Sequence, residues 1–140
     1  MDYDSERNVA RTDADQAGTL PDFRVSFESL AHRCEQATGP DRELGKGVLK
    51  ACGWTEVIAF GHSWLRPDGS PLMASSLPDP TASLDAALTL VPEGWQWEVQ
   101  GRGLALVHDG KKFIHKGRAA TPALALCAAA LRARAAMQAQ

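Results

Sequence analysis

Gly39-Pro-Asp-Arg-Glu-Leu-Gly45-Lys46-Gly47 resembles at first sight a phosphate-cradling loop, in which backbone N–H groups and a lysine surround the phosphates of a nucleotide. Five residues separate its glycines where that loop has four, Gly47 stands where a magnesium-binding Ser or Thr belongs, and the segment follows a helical pattern instead of a strand. It reads as a connection between two helices. Gly101-Arg102-Gly103 lacks the third glycine of a dinucleotide fingerprint and reads as a turn. A metal site needs convergent His, Cys or carboxylate ligands. His32 and Cys34 are two apart on a helical pattern and point to different sides, and only His108 and His115, on one predicted sheet face, could meet. His62, Ser63 and Asp68 are a conceivable nucleophilic cluster, but adjacent strand residues face opposite ways and no nucleophile elbow surrounds the serine. The expectation is no enzyme, no cofactor and no metal.

Cations and aromatics carry a stronger signal. Arg102, Lys111, Lys112, Lys116 and Arg118 cluster near Trp95 and Trp97, and basic side chains with exposed rings suit phosphates and bases. Lysines also blunt the edges of small sheets without any ligand. Trp64 and Arg66 fall in an irregular, loop-like stretch, and Trp and Arg are common interface anchors. The candidate partner-binding residues are therefore Trp64, Arg66, Arg102, Lys111 and Lys112.

A net charge of −2 conceals a gradient along the chain. Residues 1–22 hold six acids against two bases, whereas residues 101–140 hold one acid against seven bases. Such asymmetry marks either an acidic partner or two faces of one domain that balance each other. The acidic segment would compete with nucleic acid for the basic one. Cys34, Cys52 and Cys127 are odd in number and sit among apolar residues, which is the usage of buried thiols. The longest unbroken apolar run, 123–131, is far short of the ~20 residues of a membrane span, and the acid-rich first twenty residues lack the apolar core of a signal peptide. A cytoplasmic location, with no membrane partner, is the expectation.

The elements that must position these residues follow from periodicity. Residues 1–22 have no sustained apolar period and read as a disordered acidic arm, ahead of one domain over residues 23–137. Phe23, Phe27, Leu30, Cys34 and Ala37 repeat at three and four, predicting an amphipathic helix that a left-handed Gly39 would end. A second helix, with Thr38 as N-cap, would bury Leu44, Val48, Leu49 and Cys52 and stop at Gly53. Trp54 to Phe60 suits a strand, and Arg66-Pro67-Asp68-Gly69 supplies the turn of a short hairpin within 64–73. A short capped helix follows in 79–90.

Trp95, Trp97 and Val99 alternate with polar residues and open a three-stranded meander, closed by a two-residue Asp109-Gly110 turn. That turn places Leu106 opposite Phe113 and Leu104 opposite His115, with Val107 opposite Lys112 on the other face. Thr121-Pro122 then starts a helix to Met137, with Leu124, Cys127, Ala128, Leu131 and Ala135 on its buried face and Arg132 and Arg134 in solvent. The predicted class is α+β, with helices packed on a small antiparallel sheet.

Three blocks, Leu30-Ala-His-Arg-Cys-Glu-Gln-Ala-Thr-Gly-Pro-Asp-Arg-Glu-Leu44, Thr81-Ala-Ser-Leu-Asp-Ala-Ala-Leu-Thr-Leu-Val-Pro-Glu-Gly-Trp95 and Ala120-Thr-Pro-Ala-Leu-Ala-Leu-Cys-Ala-Ala-Ala-Leu-Arg-Ala-Arg134, together resemble the phage ABA sandwich domain. The resemblance implies helices flanking a small antiparallel sheet and a phage or prophage origin, without an agreed activity. The acidic segment 1–22 and the stretch 54–77 depart from it. Combined with the absence of catalytic spacing, it implies an accessory protein that binds a host protein, for instance to block a defence complex such as a CRISPR effector. A nucleic-acid-binding module using the basic 102–118 hairpin is the second reading, and a phage structural or assembly role is the third. Unpaired sheet edges also allow a homodimer.

Overall fold

A computed structural model describes residues 23–59, 61–101 and 103–138. The predicted acidic arm lies outside the described residues, as does Arg102. Among the described residues, four helices and two three-stranded antiparallel sheets make an α+β fold. In order these are α1 (Phe23–Gln36), α2 (Arg42–Ala51), β1 (Thr55–Val57), β2 (Ser63–Leu65), β3 (Pro71–Met73), α3 (Leu84–Leu88), β4 (Gln96–Gln100), β5 (Leu104–His108), β6 (Ile114–Arg118) and α4 (Pro122–Gln138). The first sheet has the order β1-β2-β3 and the second β4-β5-β6, so the single sheet expected from the sequence is two.

Helix α4 organises the core. Every side chain from Ala123 to Leu131 is buried, because α1, α3 and strands β5 and β6 pack around it. A helix that is apolar all round belongs inside, and the one-faced reading of this segment is thereby corrected. Its alanines let β6 approach so closely that Gly117 sits directly on the backbone of Ala125 and Ala129. Phe27, Ala31 and Cys34 of α1 and Leu44, Val48 and Leu49 of α2 complete the same core, which also takes in Trp64 of the first sheet.

Local chemistry explains where the elements begin. Asp41, not Thr38, caps α2, its side chain accepting from the Leu44 N–H at 3.1 Å. Thr81 is fully buried and takes the Asp41 N–H at 2.9 Å while donating to Asp79 at 2.6 Å, so the 79–81 turn clasps the start of α2. The helix expected across 79–90 is therefore shorter, starting after Ser83, whose hydroxyl accepts from Ala86 N–H at 3.2 Å. Gly53 has a φ of +104° and ends α2 as expected, whereas Gly39 does not take the left-handed conformation.

The second hairpin turns differently from the sequence expectation. Asp109 folds its carboxylate back over the loop and accepts from the N–H groups of Lys111, Lys112 and Phe113. That cap holds residues 109–113 as a five-residue loop, which shifts the register by three: Leu106 pairs with Lys116, Val107 with His115 and His108 with Ile114. An odd shift exchanges faces. His115 turns inward, stacked against Trp95 at 5.9 Å, and His108 turns outward, so the two histidines do not meet.

Arg132 is not the solvated residue its position suggested. Its guanidinium grips Glu35 of α1 bidentately at 2.7 and 2.8 Å and donates to the Lys116 carbonyl of β6 at 2.8 Å, while Glu35 also accepts the Arg118 N–H at 3.0 Å. Arg134 donates to the Leu90 carbonyl at 2.7 Å. The Arg132 hydrogen bonds hold the Glu35 carboxyl below its ordinary value of 4.5, against the opposing effect of burial. Glu35→Gln takes the charged bidentate partner from a partly buried Arg132, leaving it the Lys116 carbonyl and a longer contact with Glu28 at 3.5 Å, so it is expected to cost about 1–3 kcal/mol in urea unfolding, discounted for the pair's partial exposure.

Acid should act in two steps. Burial of His115, whose Nε2 has no hydrogen-bond partner, lowers its pKa from 6.5. The unfolded chain therefore binds that proton first, and stability is full above about pH 6.5 and erodes as pH falls toward the lowered native value. Glu35 has the ordinary carboxylate sign: its contribution is present above about pH 4.5 and is lost as pH falls through its lowered native value. Urea titrations at several pH values should show His115→Phe removing the first decline and Glu35→Gln reducing the second, which Glu56, Asp68 and Asp109 share because hydrogen bonds lower their carboxyls as well. Unchanged profiles in both variants would refute these assignments.

Candidate functional site

Of the five residues singled out by the sequence, the four that are described do not form one surface. Ser63–Leu65 is the central strand of the first sheet, with Trp64 paired to Glu56 on one side and Leu72 on the other. Trp64 is consequently 0% exposed, and it is a core residue instead of the expected interface anchor. What covers it includes Lys50, whose ammonium lies 5.8 Å from the ring centroid. Arg66 is exposed just beyond the end of that strand, and its guanidinium is used locally: it donates to Ser70 Oγ at 3.1 Å and the Pro71 carbonyl at 3.2 Å, closing the 66–70 turn. Lys111 and Lys112 do come together, exposed at the tip of the Asp109-capped loop, and the Lys112 ammonium lies 5.2 Å from the ring of Phe113. Arg102 lies outside the described residues.

Around those two lysines the register assembles a surface that the sequence reading missed. Direct partners share a sheet face, so Gln96, Glu98 and Gln100 of β4, Leu104, Leu106 and His108 of β5, and Ile114, Lys116 and Arg118 of β6 all point away from α4. None of these nine is buried, and Ile114 is 60% exposed. Three aliphatic side chains thus lie in a polar field, with cations along β6 and one carboxylate on β4. An open cleft of about 520 Å³, lined by Gln100, Gly101, Gly103, Leu104, Arg118 and Ala119, continues the face at one end. At the other end stand Lys111, Lys112 and Phe113, the last 44% exposed. Strand alternation was the available signal, and the mistaken two-residue turn hid it.

The chemical clusters weighed in the sequence do not assemble. His62 Nε2 is held by Glu56 at 2.7 Å, and Asp68 accepts instead from the Ser70 N–H and hydroxyl, so His62, Ser63 and Asp68 form no relay. Glu56 lies between Lys50 at 2.9 Å and His62, and hydrogen bonds from Lys50 and then His62 hold its carboxyl below 4.5. The Gly39–Gly47 stretch enters helix α2 at Arg42 and forms no phosphate cradle. Among the described residues there is no group of three His, Cys, Asp or Glu placed to hold a metal ion. Cys34, Cys52 and Cys127 are all buried; burial pushes the Cys52 thiol up to about 11, and Cys127 is raised by its hydrogen bond with Cys34 and by burial. Thiols so raised are poor nucleophiles near neutral pH. No helix among the described residues is long and apolar enough to cross a membrane.

No family model, curated protein or solved structure matches the chain.

Proposed function

We propose that this chain is a non-catalytic binding protein whose partner-facing surface is the outer face of β4-β5-β6 together with the 109–113 loop. The observation that carries the reading is the outward-facing aliphatic group of half-buried Leu104 and Leu106 with exposed Ile114, bordered by Lys111, Lys112, Lys116 and Arg118. An apolar centre with a charged rim is the usual anatomy of a protein–protein interface, and the rim's sign suits a partner with an acidic surface. In the phage setting that the three sequence blocks imply, the partner is a host protein, with a component of a defence complex as the concrete case.

Nucleic acid is the second reading, favoured by one specific feature: Phe113 is exposed beside Lys111 and Lys112, a ring and two cations on one loop. Aliphatic side chains offer bases neither hydrogen bonds nor a stacking plane, so the face as a whole suits protein better. The test is recovery of partners by the tagged chain from host cells, with and without nuclease, alongside Leu106→Asp and the Lys111→Glu/Lys112→Glu double variant. A protein retained after nuclease and weakened about tenfold or more by each variant supports the reading, since a core contact and two steering charges are lost. Capture that both folded variants leave unchanged removes this face from the proposal. Binding abolished by nuclease, with affinity falling steeply with salt, replaces it by the nucleic-acid module.

A further inference from the structure

Strand β6 and strand β4 are the two edges of the second sheet, and they end differently. The β6 edge is closed by side chains: Arg132 takes the Lys116 carbonyl and Glu35 takes the Arg118 N–H. On β4 no backbone group finds such a partner among the described residues, no proline interrupts Gln96–Gln100, and four of its five residues are exposed. Helix α4 lies across β5 and β6, so β4 projects beside it and leaves Trp97, on the core side of the sheet, 46% exposed. An open strand edge beside a half-covered tryptophan is an association site by default, because both the unpaired peptide groups and the ring gain from being covered.

The direction of the free groups follows from the ladder. The Ala119 N–H bonds the Gly103 carbonyl at 2.9 Å, so by alternation Ala105 and Val107 turn their peptide groups to β6, and Leu104, Leu106 and His108 turn theirs to β4. Their partners Gln100, Glu98 and Gln96 are thereby used, and the N–H and C=O groups of Trp97 and Val99 face outward. A strand running antiparallel to itself about Trp97 satisfies this pattern. Trp97 then exchanges two hydrogen bonds with Trp97 of the second copy, Trp95 lies opposite Val99, and on the outer face each Gln96 amide meets the other copy's Glu98 carboxylate. The register slipped to centre on Glu98 sets carboxylate against carboxylate and is disfavoured. Every cross-strand pair in the Trp97-centred register is complementary, which is the condition for an isologous interface.

We infer that the occupant of the β4 edge is a second copy of this chain, paired antiparallel about Trp97 to make a continuous six-stranded sheet. This is independent of the partner proposed for the outer face. The test is sedimentation equilibrium of the full chain, with Val99→Pro, which removes an outward N–H without touching the intramolecular ladder, and with the single-cysteine probes Trp97→Cys and Glu98→Cys. The native cysteines are buried and do not compete. The expected results are a dimer at tens of micromolar, a monomer for folded Val99→Pro, and an oxidative interchain crosslink through residue 97 but not 98, whose copies lie beyond disulfide reach in this register. A wild-type monomer at ~100 micromolar, a dimer indifferent to Val99→Pro, or crosslinking through 98 instead of 97 would each overturn the inference. Should Val99→Pro fail to fold, the cysteine pair alone decides it.

Discussion

Leu131→Asp is expected to unfold the domain at 25 °C. Leu131 is 0% exposed on a helix with neighbours on every side, so the aspartate has no rotamer that reaches water. Loss of the aliphatic side chain alone costs about 2–5 kcal/mol, and burying a carboxyl without a partner adds several more. Together they equal or exceed the ~5 kcal/mol at the lower end of domain stabilities. Leu131→Met keeps the volume and should cost under about 1.5 kcal/mol. Circular dichroism and urea titration of the two variants separate the outcomes, and an aspartate variant with an unchanged melting temperature would refute the buried placement of α4.

Gly117→Val should be nearly as severe, for the opposite reason. A Cβ at position 117 would overlap the Ala125 carbonyl and lie 2.7 Å from the Ala129 nitrogen and 2.9 Å from the Ala128 methyl. Two of those three neighbours are helix backbone and cannot swing aside. Gly117→Ala is expected to cost about 3 kcal/mol, the upper part of the usual overpacking range, and valine more. Ala128→Gly should not rescue it, because it removes only the methyl contact. Full rescue in that double variant would show that the strand is held off the helix by side chains, and that the backbone contact is not the limit.

Much of the architecture was legible because it is written in local chemistry. The α1 and α2 faces, the order of the helices, the β4-β5-β6 meander and Gly53 as the stop of α2 follow from spacing and backbone preference, which neighbours a few residues away decide, whereas the one or two strands expected before α3 are three. The capping role of Asp41 was equally local, but it competed with Thr38, and the choice depended on Thr81 arriving from forty residues away. Trp64 shows the limit in sharper form. Its tripeptide Ser-Trp-Leu is too short to declare itself a strand, and only pairing to Glu56 and Leu72 on both sides makes it the centre of a sheet.

For the candidate surface, one side chain made the difference. Alternation along β5 and β6 told which residues share a face within each strand, but not which faces coincide, since that depends on the number of residues in the turn. Asp109 set that number by satisfying three N–H groups of a longer loop, and so decided that Leu106 and Ile114 would look outward with Lys116 and Arg118, and that His115 would look in. Periodicity and charge along the chain by themselves determined an α+β fold with a basic C-terminal third and buried thiols. Tertiary structure alone decided that Arg132 is an internal tie, that Trp64 is core and Trp97 is not, and that side chains close one sheet edge while the other finds no such partner among the described residues. Those outcomes depend on contacts between residues far apart in the chain, whose geometry no local pattern encodes.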